Sequence, residues 1–288
     1  MKYAVDLHIH SALSPCAHED MTPNNIVNMA VMKGLDAIAL TDHNSGANLE
    51  AVSICARNQG LVFIPGMEVE SCEEIHLISL LPDLKSALKL HEIVYEALPA
   101  IQNRKDIFGS QYIMDENDQI IGEEKRLLVT ATSLTADEVF SLVTSLGGAV
   151  IPAHVDRSSY SMISNLGLIP EELKIKYLEI SKNCDRYAYR AAHPELDGYK
   201  LIRSSDAHYL GDILERESMI EIEGRAAREA DGSTDGFGLI GEESGQADDM
   251  AGIGEALRHV DEASRIREPD KDKPSAGLTA CELINILV

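Results

Sequence analysis

Basic residues are scarce in this sequence. Lys and Arg together number 25 against 48 Asp and Glu, giving a formal net charge of -23 at pH 7. Proteins that hold long duplex nucleic acid carry basic surfaces, because each phosphate contact calls for a cation. A long nucleic acid is therefore a poor first expectation for a partner. A small phosphorylated substrate remains open, since bound metal ions reverse the local potential. Long apolar runs are missing too. Crossing a bilayer takes about 18 or more apolar residues in a row, and no such run occurs. The opening residues 1–6 lack the apolar stretch of a leader peptide. These absences lead us to expect a cytoplasmic protein that does not enter a membrane. The 5 cysteines, Cys16, Cys55, Cys72, Cys184 and Cys281, form no C-x-x-C pair. That is the pattern of reduced thiols in a cytosolic chain, most of them small buried hydrophobes, with Cys16 the least settled.

What is present is a regular alternation. At 288 residues and 44% hydrophobic, the chain suffices for one large core. Short apolar runs at 3–7, 37–40, 61–65, 76–81, 148–151, 177–180 and 201–203 read as buried strands. Helical patterns fall between them at 22–33, 48–58, 84–95, 135–146 and 184–192. Strands alternating with helices imply parallel strands covered by helices, and this many units fit a β/α barrel better than an open sheet. Two stretches interrupt the pattern. Residues 98–126 contain Met114-Asp115-Glu116-Asn117-Asp118, turn chemistry between short strand-like runs, and read as an inserted excursion. Residues 224–274 are rich in Gly, Asp, Glu, Ser and Ala, and read as a solvated, largely disordered acidic segment with room for a helix at 254–266. An apolar helical pattern returns in 275–288 and is expected to pack back on the barrel of residues 1–223.

The polar residues cluster at predicted strand ends. Asp6-Leu7-His8-Ile9-His10-Ser11 opens the chain, and Thr41-Asp42-His43-Asn44 follows the second strand. Gly66-Met67-Glu68-Val69-Glu70 follows the third, and Glu74-Ile75-His76 begins the fourth. Pro152-Ala153-His154-Val155-Asp156-Arg157 and Ser204-Ser205-Asp206-Ala207-His208 follow later strands. Residues i and i+2 of a strand share a face. His8 therefore projects with His10, Glu68 with Glu70, and Asp206 with His208. In a barrel such pairs meet at one mouth. Imidazole and carboxylate together suit zinc, manganese or iron better than calcium. A two-metal site of this kind lowers the pKa of a trapped water and clamps both oxygens of an in-line displacement.

These motifs, in this order and spacing across about residues 3–222, resemble the polymerase and histidinol phosphatase (PHP) family. The resemblance implies a distorted (β/α)7 barrel, a phosphoesterase activity and two or three divalent metal ions. Carried over motif by motif, it implies that His8, His10 and Asp206 hold a first metal and that Glu68 bridges to a second. His76 and His154 complete the second, and His43 and His208 hold a third. The family draws one more third-site ligand from the loop after H-x-H; here His18 or Asp20 is the expectation. Asp206 is also expected to take the proton of the attacking water.

Further expectations rest on the residues themselves. Asp6 and Asp42 are placed to orient a ligand imidazole, with capping the next turn the other reading for Asp42. Glu70 is expected to hydrogen-bond a ligand or a substrate hydroxyl. Arg157 suits a substrate phosphate, since guanidinium matches phosphate oxygens. The function expected is hydrolysis of a small phosphorylated metabolite, nucleotide or oligonucleotide end. Two rivals remain: a metal-dependent amidohydrolase, and a non-catalytic metal-binding regulatory module using 224–274 to hold a partner. Oligomeric state is not readable.

Overall fold

Apolar residues alternate along the first strands, and that alternation sets the layering. A computed structural model of the chain describes residues 1–222 and 278–288. The elements run β1 (Lys2–Asp6), α1 (Pro23–Met32), β2 (Ala37–Leu40), α2 (Leu49–Gln59), β3 (Val62–Glu70), β4 (His76–Leu80) and α3 (Leu84–Ala97). Then come α4 (Lys105–Phe108), β5 (Tyr112–Met114), β6 (Ile120–Glu123), α5 (Ala136–Ser145), β7 (Ala149–Pro152) and α6 (Met162–Leu166). β8 (Tyr177–Ile180), α7 (Arg186–Ala192), β9 (Lys200–Arg203), β10 (Met219–Glu221) and α8 (Ala280–Leu287) complete the order. Helix starts follow local chemistry. Thr22 caps α1 with Pro23 in its first turn. Thr135 with Glu138, and Thr279 with Glu282, form reciprocal capping boxes on α5 and α8.

The strands build a curled, helix-flanked sheet in the order β10-β1-β2-β3-β4-β7, with β8 and β9 as a separate parallel pair. Backbone hydrogen bonds link this pair to both sides. Val155 N donates to Glu179 O at 2.8 Å beside β7, and His10 N donates to Ala207 O at 3.0 Å beside β1. Parallel strands were expected throughout. β1, β2 and β3 are parallel, but β4 runs antiparallel to both β3 and β7. The reason is length. Only residues 71–75 separate β3 from β4, too few for the dozen or so of a parallel crossover, so the pair closes as a hairpin with Glu74 at φ 58°.

The sheet has an apolar core on each face. Ala4, Ile38 and Leu40 pack outward with Ile26, Val27, Val52 and Leu90 of the helices. Val5, Ala37, Ala39, Ile64, Ile78 and Ile151 point inward and meet Leu283, Ile284 and Leu287 of α8. α8 enters at the end of β4 remote from His76, where Cys281 Sγ lies 3.8 Å from Pro82 O. In the region expected as an excursion, α4 precedes the β5–β6 hairpin, which Asn48 secures through Tyr112 O and Met114 N. The acidic stretch 224–274, with its candidate helix at 254–266, lies outside the described residues, as do 275–277. Among the described residues, no helix is long and apolar enough to cross a membrane.

Candidate metal centre

Strand ends deliver the polar side chains to one rim. His8 and His10 lie just past β1, His43 past β2, Glu68 and Glu70 at the end of β3, and His154 past β7. Asp206 and His208 lie past β9. His76 starts a strand rather than ending one. It reaches the same rim because β4 is reversed, which sets it opposite Glu70. Isolated bridges Ile9↔Ala207 and His43↔Glu68 carry the pairing into the site. Asn44, His154 and Asp206 have φ of 47°, 31° and 51°. The left-handed region disfavours side chains by roughly 1–3 kcal/mol per residue, a strain that concentrates at functional sites. Local bonds hold it: Asn44 Nδ2 donates to Leu128 O and Thr130 O, and His154 N donates to Glu179 Oε1.

Glu68 is the hub, and it is only 1% exposed. His76 Nδ1 and His8 Nε2 stand 2.9 and 3.2 Å from its Oε1, and His154 Nε2 stands at 3.5 Å. His43 Nδ1 and His10 Nε2 stand 2.9 and 3.5 Å from its Oε2. Asp206 Oδ1 closes the other side, 3.1 Å from His10 Nε2 and 3.3 Å from His8 Nε2. Arg157 Nη2 pairs with Asp206 Oδ2 at 2.7 Å.

The surrounding network assigns the imidazole tautomers. His8 Nδ1 sits 3.1 Å from the Glu179 carboxylate, which only accepts, so Nδ1 carries the proton. Ser14 Oγ donates to Asp42 Oδ1 at 2.7 Å and accepts the His43 backbone N–H. Its one proton being used, it accepts from His10 Nδ1 at 3.0 Å. His208 Nδ1 likewise donates to Asp206 O at 2.9 Å. His8 Nε2 and His10 Nε2 then stand 3.0 Å apart, between two carboxylates. Buried His154 Nδ1 has no hydrogen-bond partner, and His43 Nδ1 and Glu68 Oε2 meet at 2.9 Å as an ion pair without hydrogen-bond geometry. A buried cluster of inward-turned ring nitrogens and carboxylates is balanced either by a second proton on His8, whose pKa its acidic neighbours raise, or by a cation in its place.

Charge in the cluster is strongly coupled. Burial disfavours ionised Glu68, yet His76, His8 and His43 hold its carboxyl well below the usual range. Burial likewise opposes ionised Asp206, and His8 and His10 overcome it and lower its pKa. Burial works against a charged His8, but Glu179, Glu68 and Asp206 raise it well above the ordinary imidazole value. His10 moves the other way, well below it, through burial and then the nearby His208 and His43. Both carboxylates are thereby kept anionic. At the outer edge, burial pushes the Cys16 thiol up, but hydrogen bonds with His208 and His43 win and bring it to about 6.

The remaining expected residues fall in different places. Asp6 does not reach an imidazole. The backbone amides of Ser205 and Leu214 donate to its carboxylate at 3.0 and 2.9 Å, and Glu179 occupies the orienting place on His8. Asp42 receives Ser11 N, Ser11 Oγ and Ser14 Oγ at 2.6–2.7 Å, and so acts on His10 through Ser14. Glu70 Oε2 lies 3.8 Å from His76 Nε2. His18 and Asp20 pair with each other at 3.4 Å on the surface, 46% and 69% exposed, and do not join the cluster. The loop instead brings Cys16 Sγ to 3.1 Å from His208 Nε2, beside a cavity of about 290 Å³ lined by Pro15, His18, Tyr112 and Tyr209. Glu179, Ser14 and Cys16 were missed as site residues. A lone acid inside the wholly buried strand Tyr177–Ile180 was the one available signal for Glu179.

Among the described residues, three sets have ligand atoms within 4.8 Å of one another: His8, His10 and Glu68; His43, Glu68 and His76; and His10, His43 and His208. Nitrogen and carboxylate donors of this kind suit zinc, manganese or iron, so these residues could hold divalent metal.

Known proteins are similar to this chain in sequence or fold. The chain is 29% identical over 150 residues to an uncharacterised protein of Methanocaldococcus jannaschii, covering 52% of this chain and 16% of that one. It is 30% identical over 79 residues to a 3',5'-nucleoside bisphosphate phosphatase of Chromobacterium violaceum, covering 26% of this chain and 27% of that one. The fold matches a lesion-specific endonuclease of Pyrococcus furiosus with a TM-score of 0.55 at 21% identity, over 80% of this chain and 55% of that one. The chain thus spans well under two thirds of each of these proteins. The PHP domain model matches residues 6–181, more than half of the sequence, and the chain belongs to the PHP domain family.

Proposed function

We propose that this protein is a metal-dependent phosphoesterase acting on a small phosphorylated metabolite, nucleotide or oligonucleotide end. The observation that carries the reading is the Glu68 carboxylate, buried and ringed by nitrogens of His8, His10, His43, His76 and His154 at 2.9–3.5 Å. In this reading β1–β4 and β7–β9 make up a distorted seven-stranded barrel over residues 1–223, with 98–126 inserted and 275–288 packing on it. His8, His10 and Asp206 would hold a first ion, Glu68, His76 and His154 a second, with Glu68 shared between them, and His43 and His208 a third. When bound, such ions activate a water and neutralise charge on phosphoryl oxygens. The chain's own residues do the rest. Glu179, and Asp42 through Ser14, fix the His8 and His10 lone pairs inward. Asp206 takes the proton of the attacking water. Arg157, 44% exposed and next to Asp206, turns to grip the substrate phosphate. The free state of all 5 cysteines accords with a cytosolic setting.

The net charge of -23 favours a small substrate over a long polymer. A nucleic-acid substrate has the fold match to the endonuclease behind it, and one panel separates the two. Full-length protein loaded with manganese, zinc or iron is assayed on nucleotide monophosphates and bisphosphates, sugar phosphates, 5'-phosphorylated oligonucleotides and a lesion-bearing duplex. Turnover of small esters is expected. Turnover of amides or lactones alone overturns phosphoesterase chemistry in favour of an amidohydrolase, and stoichiometric metal with no turnover of any substrate supports a regulatory module.

A further inference from the structure

We propose that the Cys16 thiolate is a direct ligand of the outermost metal, beside His43 and His208, so that this PHP centre has a mixed sulfur and nitrogen third site. The inference rests on the metal reading above and assigns to it a donor of a different chemical class. The family resemblance pointed to His18 or Asp20 for this place, but those side chains pair with each other at the surface. The loop turns at Ser14 and Ala17, where Ala17 N donates to Ser14 O at 2.9 Å, and the intervening Cys16 reaches the rim. Its Sγ stands 3.1 Å from His208 Nε2.

Three further observations point to an ion there. His208 Nδ1 donates to a backbone carbonyl, so its Nε2 presents a lone pair to the sulfur. His10, His43 and His208 have ligand atoms within 4.8 Å of one another. His43, 7% exposed, turns Nδ1 to Glu68 Oε2 at 2.9 Å, which leaves its Nε2 side to Cys16 and to His208, whose ring lies 6.2 Å away. Metal–sulfur and metal–nitrogen bonds of roughly 2.3 and 2.0 Å give a tetrahedral N···S edge of about 3.5 Å. The observed separation is within a few tenths of an ångström of that. Ligation exchanges the thiol proton for the ion: the S–H bond breaks, the proton leaves to solvent, and the sulfur lone pair goes to the metal. No oxidant is involved.

A thiolate makes this site soft. It should prefer zinc, iron or cobalt over manganese, while the Glu68-centred positions remain nitrogen and oxygen sites. The two parts of one centre would then differ in metal preference.

The test uses the full-length chain, stripped with chelator and titrated with cobalt(II), reading bound metal by elemental analysis and the thiolate-to-cobalt charge-transfer band in the near ultraviolet. The band is expected in the wild type and in Cys72→Ser, whose thiol is at the surface. It should vanish in Cys16→Ser, with affinity at one site falling more than about tenfold, since losing even an outer partner of a ligand costs that much. Cys16→Asp should restore the affinity without the band and move that site's preference toward manganese. Cobalt bound by the wild type without the band, or a band that survives in Cys16→Ser, overturns the assignment and leaves the metal centre standing. A wild type that takes up no cobalt overturns both.

Discussion

The rim and the floor of one set of strands are built from opposite materials. At the rim, β1, β2, β3 and β7 end in imidazoles and carboxylates turned on one another. Below it, Val5, Ala37, Ile64 and Ile151 meet Leu283, Ile284 and Leu287 in a core without charge. The floor is stable as it stands, because apolar burial needs no guest. The rim depends on charge, since buried carboxylates and imidazoles are stable together only while protons or a cation balance them. The comparison teaches that stability and chemistry are separately encoded, a few residues apart on the same strands.

The separation can be broken at several points. Glu68→Gln keeps the size of the hub and removes its charge. We expect kcat/KM to fall by at least about 10³-fold, with metal content falling in parallel, while the thermal transition stays cooperative. Retained turnover with normal metal would remove Glu68 from the centre. Glu179→Gln should weaken metal binding about 10–100-fold by chelator competition, because His8 loses the acceptor that fixes its tautomer. An unchanged affinity would reduce Glu179 to a structural role. Arg157→Ala should raise KM roughly tenfold through lost phosphate contacts. Its effect on cobalt stoichiometry should be nil, and a lost ion would place Arg157 in support of Asp206 instead. Leu283→Ala is the complementary case. It should lower unfolding stability by roughly 2–5 kcal/mol in urea titrations and change metal affinity least of all. Loss of metal there would mean that rim and floor are coupled after all.

Much of the rim was legible because strand alternation and motif order act locally. His8-Ile9-His10, Glu68, His76, His154 and Asp206-Ala207-His208 could be placed on a common edge before any coordinates. What escaped depends on distant packing. Glu179 sits in an otherwise apolar strand and gains meaning only when β8 lies beside His8 and His154. Ser14 looks like any loop serine until it stands between Asp42 and His10. The 14–20 loop held several polar side chains, and its turn geometry brings Cys16 to the rim while His18 and Asp20 stay at the surface. Alternating elements implied parallel strands, and the short 71–75 connection overrode that for β4.

The junction between β1 and the turn after β9 has a consequence for motion. It is closed by the lone bridge Ile9↔Ala207 and by the bonds His10 N→Ala207 O and Ala207 N→His8 O at 3.0 and 3.3 Å. Such a short ladder should open more readily than the long β3–β4 hairpin. Deuterium should therefore enter the His10 and Ala207 amides early in the stripped protein, and an ion gripping His8, His10 and Asp206 together should slow that entry by tying chain segments nearly two hundred residues apart.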